Sequence, residues 1–196
     1  RNYGILSLSN NRTVLVKYYN IDAGQQDDCG VDDVEDEERE GDPNEKSGCD
    51  GNKIRILFLY TSAANATGLM PQTVAQNVIN ELNSSALASG LSASDISFAL
   101  ANVVLLSGFV ETTSMSNDLD SYSGNSTAHA LRDLNYADIV ILLENGLDPN
   151  IAGKAKGISV SSGKAYCIAD IHYANNGFTA THEIGHLIGT RHQRCH

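Results

Sequence analysis

One eleven-residue stretch near the end of the chain constrains the local fold more than any other part of the sequence. Residues 182–192 read His-Glu-Ile-Gly-His-Leu-Ile-Gly-Thr-Arg-His. On an α-helix, His182 and His186 lie one turn apart on the same face, so both imidazoles can reach a single ion. Gly189 can adopt a positive φ, which lets the chain leave the helix and bring His192 round as a third ligand. The spacing therefore predicts a helix, a reversal at Gly189 and three imidazoles around one metal ion.

The residue types in this stretch indicate which ion and which chemistry to expect. Imidazole is a preferred zinc ligand, and three protein ligands leave the fourth tetrahedral position open, as in catalytic rather than structural zinc sites. Glu183 stands beside the first ligand, where it can hold a metal-bound water and act as general base. An ordinary buried helix would instead leave Glu183 and two histidines in need of separate hydrogen-bond partners, which is costly. The motif therefore favours a zinc-dependent hydrolase.

The pattern H-E-x-x-H-x-x-G-x-x-H resembles that of the metzincin clan of zinc endopeptidases. Two further phrases, residues 54–64 (IRILFLYTSAA) and residues 129–142 (HALRDLNYADIVIL), resemble the reprolysin-like bacterial metalloproteases, a group that includes the peptidyl-Asp metalloendopeptidases. The resemblance covers about residues 53–192. It implies an α/β (α+β) fold in which a twisted, five-stranded mixed sheet lies over the zinc helix. It also implies one zinc ion and peptide substrates that bind along the edge strand of the sheet, near Gly157–Ser162 or Lys164–Ile171.

The chain departs from the resemblance at its end. Metzincins carry a methionine turn downstream of the third ligand, but Met70 and Met115, the only methionines, lie upstream of it. Either the sequence is a fragment, with the specificity pocket beyond residue 196, or the chain departs from the family in its specificity pocket and in efficient catalysis; we expect a fragment.

Alternating helix and strand patterns follow the beginning of this region. Lys53–Tyr60 and Asp138–Leu143 are typical of buried strands. The run Ile96–Leu106 alternates like a strand with one buried face, and two short strands are expected at about Lys156–Ser161 and Ala165–Ile171. Helices are predicted from Pro71 to near Gly90, from a cap at Ser126 through Leu134, and from near Gly177 onwards.

Most of the chain's negative charge lies in one segment. Between Asp27 and Asp50 there are twelve acidic and two basic residues, a net charge of −10 out of −11 for the whole chain. The segment lacks any apolar run, so we expect an exposed linker. Calcium binding by Asp32, Asp33 and Asp36 is possible, but the spacing of an EF-hand is absent. No basic patch offsets phosphate charge, which excludes nucleic acid as a partner.

This linker divides the chain into three parts. Residues 1–26 contain two strand-like runs, Tyr3–Leu8 and Thr13–Tyr19, and are interpreted as the end of a pro-segment with a short β-hairpin. Residues 27–52 form the acidic linker. Residues 53–196 form the catalytic domain, cut short soon after the third zinc ligand.

The four cysteines leave two arrangements open. Cys29 stands in Asp-Cys-Gly-Val, which resembles the cysteine switch of adamalysin-type zymogens, in which a pro-segment thiolate occupies the fourth zinc position. Alternatively, Cys29 pairs with Cys49 and closes the acidic loop as a disulfide. Cys167 and Cys195 flank the zinc helix and are plausible partners in a disulfide that would hold the site together.

The sequence contains no run of 18 apolar residues that would span a membrane. Length and composition agree with a secreted single catalytic domain, whose signal peptide is not part of this chain. We expect a zinc endopeptidase in a latent form, bound by its own pro-segment. A zinc-binding module without turnover is the second function class that the motif allows. The oligomeric state and the cleavage preference are not predicted.

Overall fold

The computed structural model describes residues 2–7, 13–18 and 52–192. Near the N-terminus, β1 (Asn2–Ser7) and β2 (Thr13–Tyr18) pair antiparallel, within a residue of the expected strands. The five strands of the main sheet are β3 (Lys53–Tyr60), β4 (Ser97–Leu105), β5 (Ile139–Glu144), β6 (Gly153–Ala155) and β7 (Tyr166–Asp170). Their order in the sheet is β4-β3-β5-β7-β6. Strands β4, β3, β5 and β7 run parallel to one another, and β6 runs antiparallel to β7. The mixed five-stranded sheet is thus confirmed.

Five helices cover this sheet: α1 (Ser62–Ala66), α2 (Pro71–Ala88), α3 (Met115–Ser123), α4 (Ser126–Leu134) and α5 (Thr179–Leu187). Side chains alternate across the central strands, so each strand contributes to two cores. In β3, Ile56 and Phe58 pack with α2 and α5, whereas Leu57 and Leu59 pack with α3 and α4. The result is a three-layer α/β arrangement with a covered sheet, in which α5 lies beneath β6 and β7.

Local sequence signals explain where several helices begin. Thr61 accepts a hydrogen bond from the backbone N–H of Ala64 and caps α1, and Pro71 occupies the first position of α2. The sequence predicts Ser126 as the N-cap of α4, but the cap is Asn125. Its side chain accepts hydrogen bonds from the backbone N–H groups of Thr127 and Ala128. Asparagine and serine are about equally good N-caps, so the sequence alone could not decide between neighbours.

Two expectations about strands are wrong. Residues 156–161 form no strand; the antiparallel strand of the sheet lies earlier, at Gly153–Ala155. The segment Lys164–Ile171 was considered as an edge, but β7 within it lies between β5 and β6. Helix α3 and the short α1 were not expected. Within the described residues, no helix is both long and apolar enough to cross a bilayer.

Candidate metal centre

Helix α5 carries the first two histidines of the motif. His182 and His186 are one turn apart, and their ring centroids are 4.5 Å from one another. The helix is anchored by apolar side chains of its opposite face, since Ala180, Ile184 and Leu187 belong to the core that α5 shares with the sheet. The sequence pattern of small and aliphatic residues between the histidines therefore fixes which face of α5 is free to bind an ion.

The end of α5 reverses the chain in the way that the glycine predicts. Gly189 has φ +107°, and its N–H donates to the carbonyl of His186 at 2.9 Å. The N–H of Thr190 donates to the carbonyl of Gly185 at 2.9 Å. These two bonds, around a residue of positive φ just past the helix, constitute a Schellman motif. The reversal brings His192 back over the helix.

The three imidazoles converge on one point. The Nε2 atom of His182 lies 2.8 Å from that of His192 and 2.9 Å from that of His186, and the third separation is 3.1 Å. In a tetrahedral zinc site with Zn–N bonds of about 2.0–2.1 Å, nitrogen ligands lie about 3.3–3.4 Å apart. The three observed Nε2–Nε2 separations are slightly shorter than this. Within the described residues, this is the one group of three or more potential ligands that lie close enough together to bind a single metal ion.

The hydrogen bonding of His186 fixes its orientation and tautomer. Its Nδ1 lies 2.9 Å from the backbone carbonyl oxygen of Thr190. A carbonyl oxygen can only accept, so Nδ1 carries the proton and Nε2 presents its lone pair to the other two histidines. Such a bond on the remote nitrogen is the usual support of a zinc-bound histidine. Gly185 makes the close approach possible, because a Cβ there would lie 2.7 Å from Oγ1 of Thr190.

Burial favours the neutral form of His182 and His186. Burial, together with the neighbouring His186 and His192, lowers the pKa of His182 to about 3. Burial also lowers the pKa of His186, against the opposing effect of its bond to Thr190. A metal ion binds the neutral imidazole, so these residues fit a metal ligand set at neutral pH.

Glu183 occupies a buried position on a different face of α5. Its exposed fraction is 1%, and it lies against β6, where a Cβ at Gly153 would be 3.0 Å from Cγ of Glu183 and 3.2 Å from its Oε1. Its charge also contributes to raising the pKa of the Cys167 thiol, although burial is the main cause. The Glu183 side chain therefore lies between α5 and β6, at the edge of the sheet.

The segment after β6 supports α5 and does not form the strand that was expected there. The N–H of Ser159 donates to the carbonyl of His186 at 2.9 Å, and that of Val160 donates to the carbonyl of Leu187 at 3.1 Å. Carbonyls in the last turn of a helix have no partner within the helix, so this segment stabilises the end of α5. The expectation that Gly157–Ser162 is an edge strand for substrate is wrong.

Backbone groups of β6 face away from the rest of the sheet. The N–H of Asp170 donates to the carbonyl of Ala152 at 2.8 Å, and the N–H of Lys156 donates to the carbonyl of Tyr166 at 3.0 Å. Because these groups alternate along an antiparallel strand, the N–H and C=O of Gly153 and Ala155 point away from β7. These two residues provide the outer edge of the described sheet next to α5.

Several sequence-based expectations fall on residues that the structure does not describe. Cys29, Cys49, Cys195 and the acidic residues Asp32, Asp33 and Asp36 lie outside the described residues. Cys167 is buried in β7, and Cys195, the partner proposed for it in a disulfide, lies outside the described residues, so that pairing stays a prediction. His129 and His172 make hydrogen bonds to Ser123 and Asn145, as expected for histidines outside the motif.

Sequence reasoning missed three contributors to the site. Gly153, Gly185 and the carbonyl of Thr190 act through close packing or through the backbone. Gly185 and Thr190 lie within the motif itself. Every residue has a backbone carbonyl, so the residue type at position 190 does not reveal that its carbonyl accepts a hydrogen bond. Gly153 lies far from the motif in sequence, and only the pairing of β6 with β7 brings it to Glu183.

Comparison with known proteins places this geometry in a family. A family model described as metallo-peptidase family M12B, reprolysin-like, matches residues 72–193. The sequence matches none of the curated proteins. Among solved structures, one titled "Structure of a chaperone-substrate complex" has 17% identity and a TM-score of 0.57, and covers 71% of this chain and 24% of its own. The crystal structure of metalloproteinase-II from Bacteroides fragilis has 17% identity and a TM-score of 0.48, and covers 71% of this chain and 43% of its own.

The chain thus spans less than half the length of either structure. At such low identity, the likeness to the first concerns the fold alone. The family model covers well over half of the chain and includes both α5 and His192. The chain therefore belongs to the reprolysin-like M12B metallopeptidase family.

Proposed function

We propose that this protein is a zinc endopeptidase whose ion is held by His182, His186 and His192. The observation that carries the proposal is the triangle of three Nε2 atoms, 2.8–3.1 Å apart, formed by two histidines of α5 and one from the turn after it, with a buried glutamate on the same helix. Three imidazole ligands suit zinc and leave one coordination position open, which is the arrangement of catalytic zinc sites.

A bound zinc ion would supply a Lewis acid that polarises a peptide carbonyl and lowers the pKa of water to about 7. The rest of the chemistry belongs to side chains of this chain. Glu183 accepts a proton from the water that attacks the peptide carbonyl, and then passes that proton to the nitrogen of the departing amine. Its burial beside β6 holds the carboxylate in one place.

The substrate would bind as an extended segment along β6. The outward N–H and C=O groups of Gly153 and Ala155 provide hydrogen bonds for an added strand. Since Glu183 lies against the same strand, a peptide bound there would pass next to the general base. Proteins or peptides are therefore the proposed substrates, and we expect the protein to act outside the cell.

The resemblance of Cys29 to a cysteine switch supports a second part of the proposal. A thiolate in the open coordination position would hold the enzyme in a latent form, since that position would then be unavailable to water. A disulfide between Cys29 and Cys49 remains the alternative.

The test is peptidase activity of the longest form that can be expressed, with and without a chelator. We expect activity that the chelator abolishes and that stoichiometric zinc restores. To allow for latency, the assay includes material nicked by trypsin within the acidic linker. Zinc binding without activity in every form would support a zinc-binding module without turnover, and would contradict the proposed enzyme.

A further inference from the structure

The contact between β6 and α5 is closest at Gly153. A Cβ at this position would lie 2.5 Å from Cγ2 of Thr179, 3.0 Å from Cγ of Glu183 and 3.2 Å from Oε1 of Glu183. Ordinary van der Waals contacts of a Cβ begin at about 3.4 Å, so a methyl group has no room here. The φ of Gly153 is not in the left-handed region. Space, and not backbone conformation, therefore requires glycine at this position.

The two residues that fill this space lie on one face of α5. Thr179 and Glu183 are four residues apart, so they are neighbours along the face that contacts β6. The next residue of β6 on the same side, Ala155, is also small and packs in the core shared with α5. Lys154 points to the opposite side, where its Nζ donates to Oγ of Ser116 at 3.2 Å. The strand thus presents small residues to the helix.

We propose that Gly153 is a positioning residue, whose missing side chain sets the distance between α5 and β6 and thereby places the Glu183 carboxylate beside the substrate strand. This inference rests on the proposed peptidase function. The helix holds the general base, and the outward backbone of β6 is the proposed substrate edge. The contact at Gly153 therefore sets the distance between base and substrate.

A methyl group at residue 153 should affect catalysis more than metal binding. His182 and His186 are on α5, and His192 is attached through the Schellman turn, so the three ligands move with the helix as one unit. The backbone groups of β6 that would bind peptide are unchanged by the substitution. We therefore expect Gly153→Ala to lower kcat by about 10–100-fold, because displacement of a catalytic group by about 1 Å has effects of this size. KM and zinc content should change little.

A second substitution can relieve the clash. The nearest atom to the added methyl group is Cγ2 of Thr179, and Thr179→Ser removes that atom while keeping the hydroxyl. The double variant G153A/T179S should recover part of the lost kcat. In contrast, G153A/T179V keeps a methyl group near the same place and should recover nothing. Gly163→Ala is the matched control, because Gly163 is exposed and no atom lies within 4 Å of its Cβ position.

The experiment measures kcat, KM, zinc content and melting temperature for the wild type, these variants and T179S alone. The expected result is a loss of kcat in G153A, with zinc retained, that T179S partly reverses and T179V does not. A wild-type kcat in G153A, a loss that T179S does not relieve, or a loss explained by missing zinc would overturn the proposal.

Failure of the proposed function would look different, because the wild type itself would then show no chelator-sensitive activity. The steric claim is still tested in that case by melting temperature and by crystal structures. G153A should have a lower melting temperature than the wild type, partly restored by T179S, and a larger separation between Glu183 and β6. Equal melting temperatures and an unchanged separation would show that Gly153 does not set this distance.

Discussion

At the scale of single residues, Glu183 is distinguished by its position. It is buried on α5, next to the edge strand of the sheet. Glu81 also contacts α5, since its Oε2 accepts a hydrogen bond from Thr181, but it lies on α2. The two residues therefore offer a matched pair for testing the role of a carboxylate.

We predict that Glu183→Gln keeps zinc but lowers kcat by about 10²–10⁴-fold, because only the general base is removed. The amide of Gln can still accept hydrogen bonds, so Glu81→Gln should retain zinc and activity. Peptide hydrolysis and zinc content of both variants check this. Full activity in the Glu183 variant would rule out its role as base.

Glu144, at the end of β5, is a second buried carboxyl group, and it lies outside the histidine motif. Its two oxygens are buried and no N–H or O–H donor reaches them. Burial, together with the negative charges of Asp118, Glu111 and Asp170, raises its pKa to about 9. The group is thus protonated in the folded protein at neutral pH, when it can donate to Asp118.

This shift has a consequence for stability. Between about pH 4.5 and pH 9, the folded chain retains a proton that the unfolded chain releases, so the free energy of unfolding falls as the pH rises. We predict that Glu144→Gln, which stays neutral, raises the melting temperature at pH 8 and reduces its decline between pH 6 and pH 9 relative to the wild type. Melting curves across this range test the prediction. Parallel curves for both proteins would contradict it.

At the scale of elements, most of the helices and strands followed from residue patterns. Strands β3, β4, β5 and β7 and helices α2, α4 and α5 begin and end close to the expected places, because apolar runs mark the buried strands and apolar residues at helical spacing mark the helices. Strand β6 could not be found in this way, since Gly-Lys-Ala has no strand preference and is held by pairing with β7. Tertiary contacts decided its place.

Helix α3 shows a signal that was overlooked. Its buried residues Met115, Leu119 and Tyr122 are spaced by four and three residues, as in an amphipathic helix. The intervening serines and aspartates are weak helix formers, which makes this spacing harder to recognise in the sequence. Ser114 caps this helix by accepting a hydrogen bond from the N–H of Asn117.

The turn after α5 is the element on which the third ligand depends. An alanine at residue 189 would have to adopt the φ of +107° that Gly189 has, which L side chains rarely adopt. We predict that Gly189→Ala lowers the free energy of unfolding by about 1–2 kcal/mol and weakens zinc binding, because His192 loses its placement. Zinc titration and chemical denaturation measure both effects. Gly163→Ala serves as the control, and an unchanged zinc affinity in Gly189→Ala would show that the turn is not required.

At the scale of the whole molecule, the charge is divided unequally between the linker and the remainder. The acidic segment from Asp27 to Asp50 connects the proposed pro-segment to the catalytic part. Exposed acidic linkers are common sites of proteolytic nicking. The division into residues 1–26, 27–52 and 53–196 remains a prediction, and so does latency.

We predict that Cys29→Ser raises the basal activity of the uncleaved chain, because a serine hydroxyl is a much poorer zinc ligand than a thiolate. Cleavage between Asp32 and Asp50 should activate the wild type without changing its zinc content. If Cys29 is instead bonded to Cys49, the substitution should bring no gain, and reduction should raise the mass of the wild type by about two units.

The central claim is that His182, His186 and His192 together hold one zinc ion. The most direct measurement is the zinc content of protein purified without chelator, for the wild type and for the three single His→Ala variants, with His129→Ala as the control. We predict one zinc per chain in the wild type and in the control, and a marked loss in each of the three variants. A wild type without zinc, or a ligand variant that retains the full content, would contradict the account.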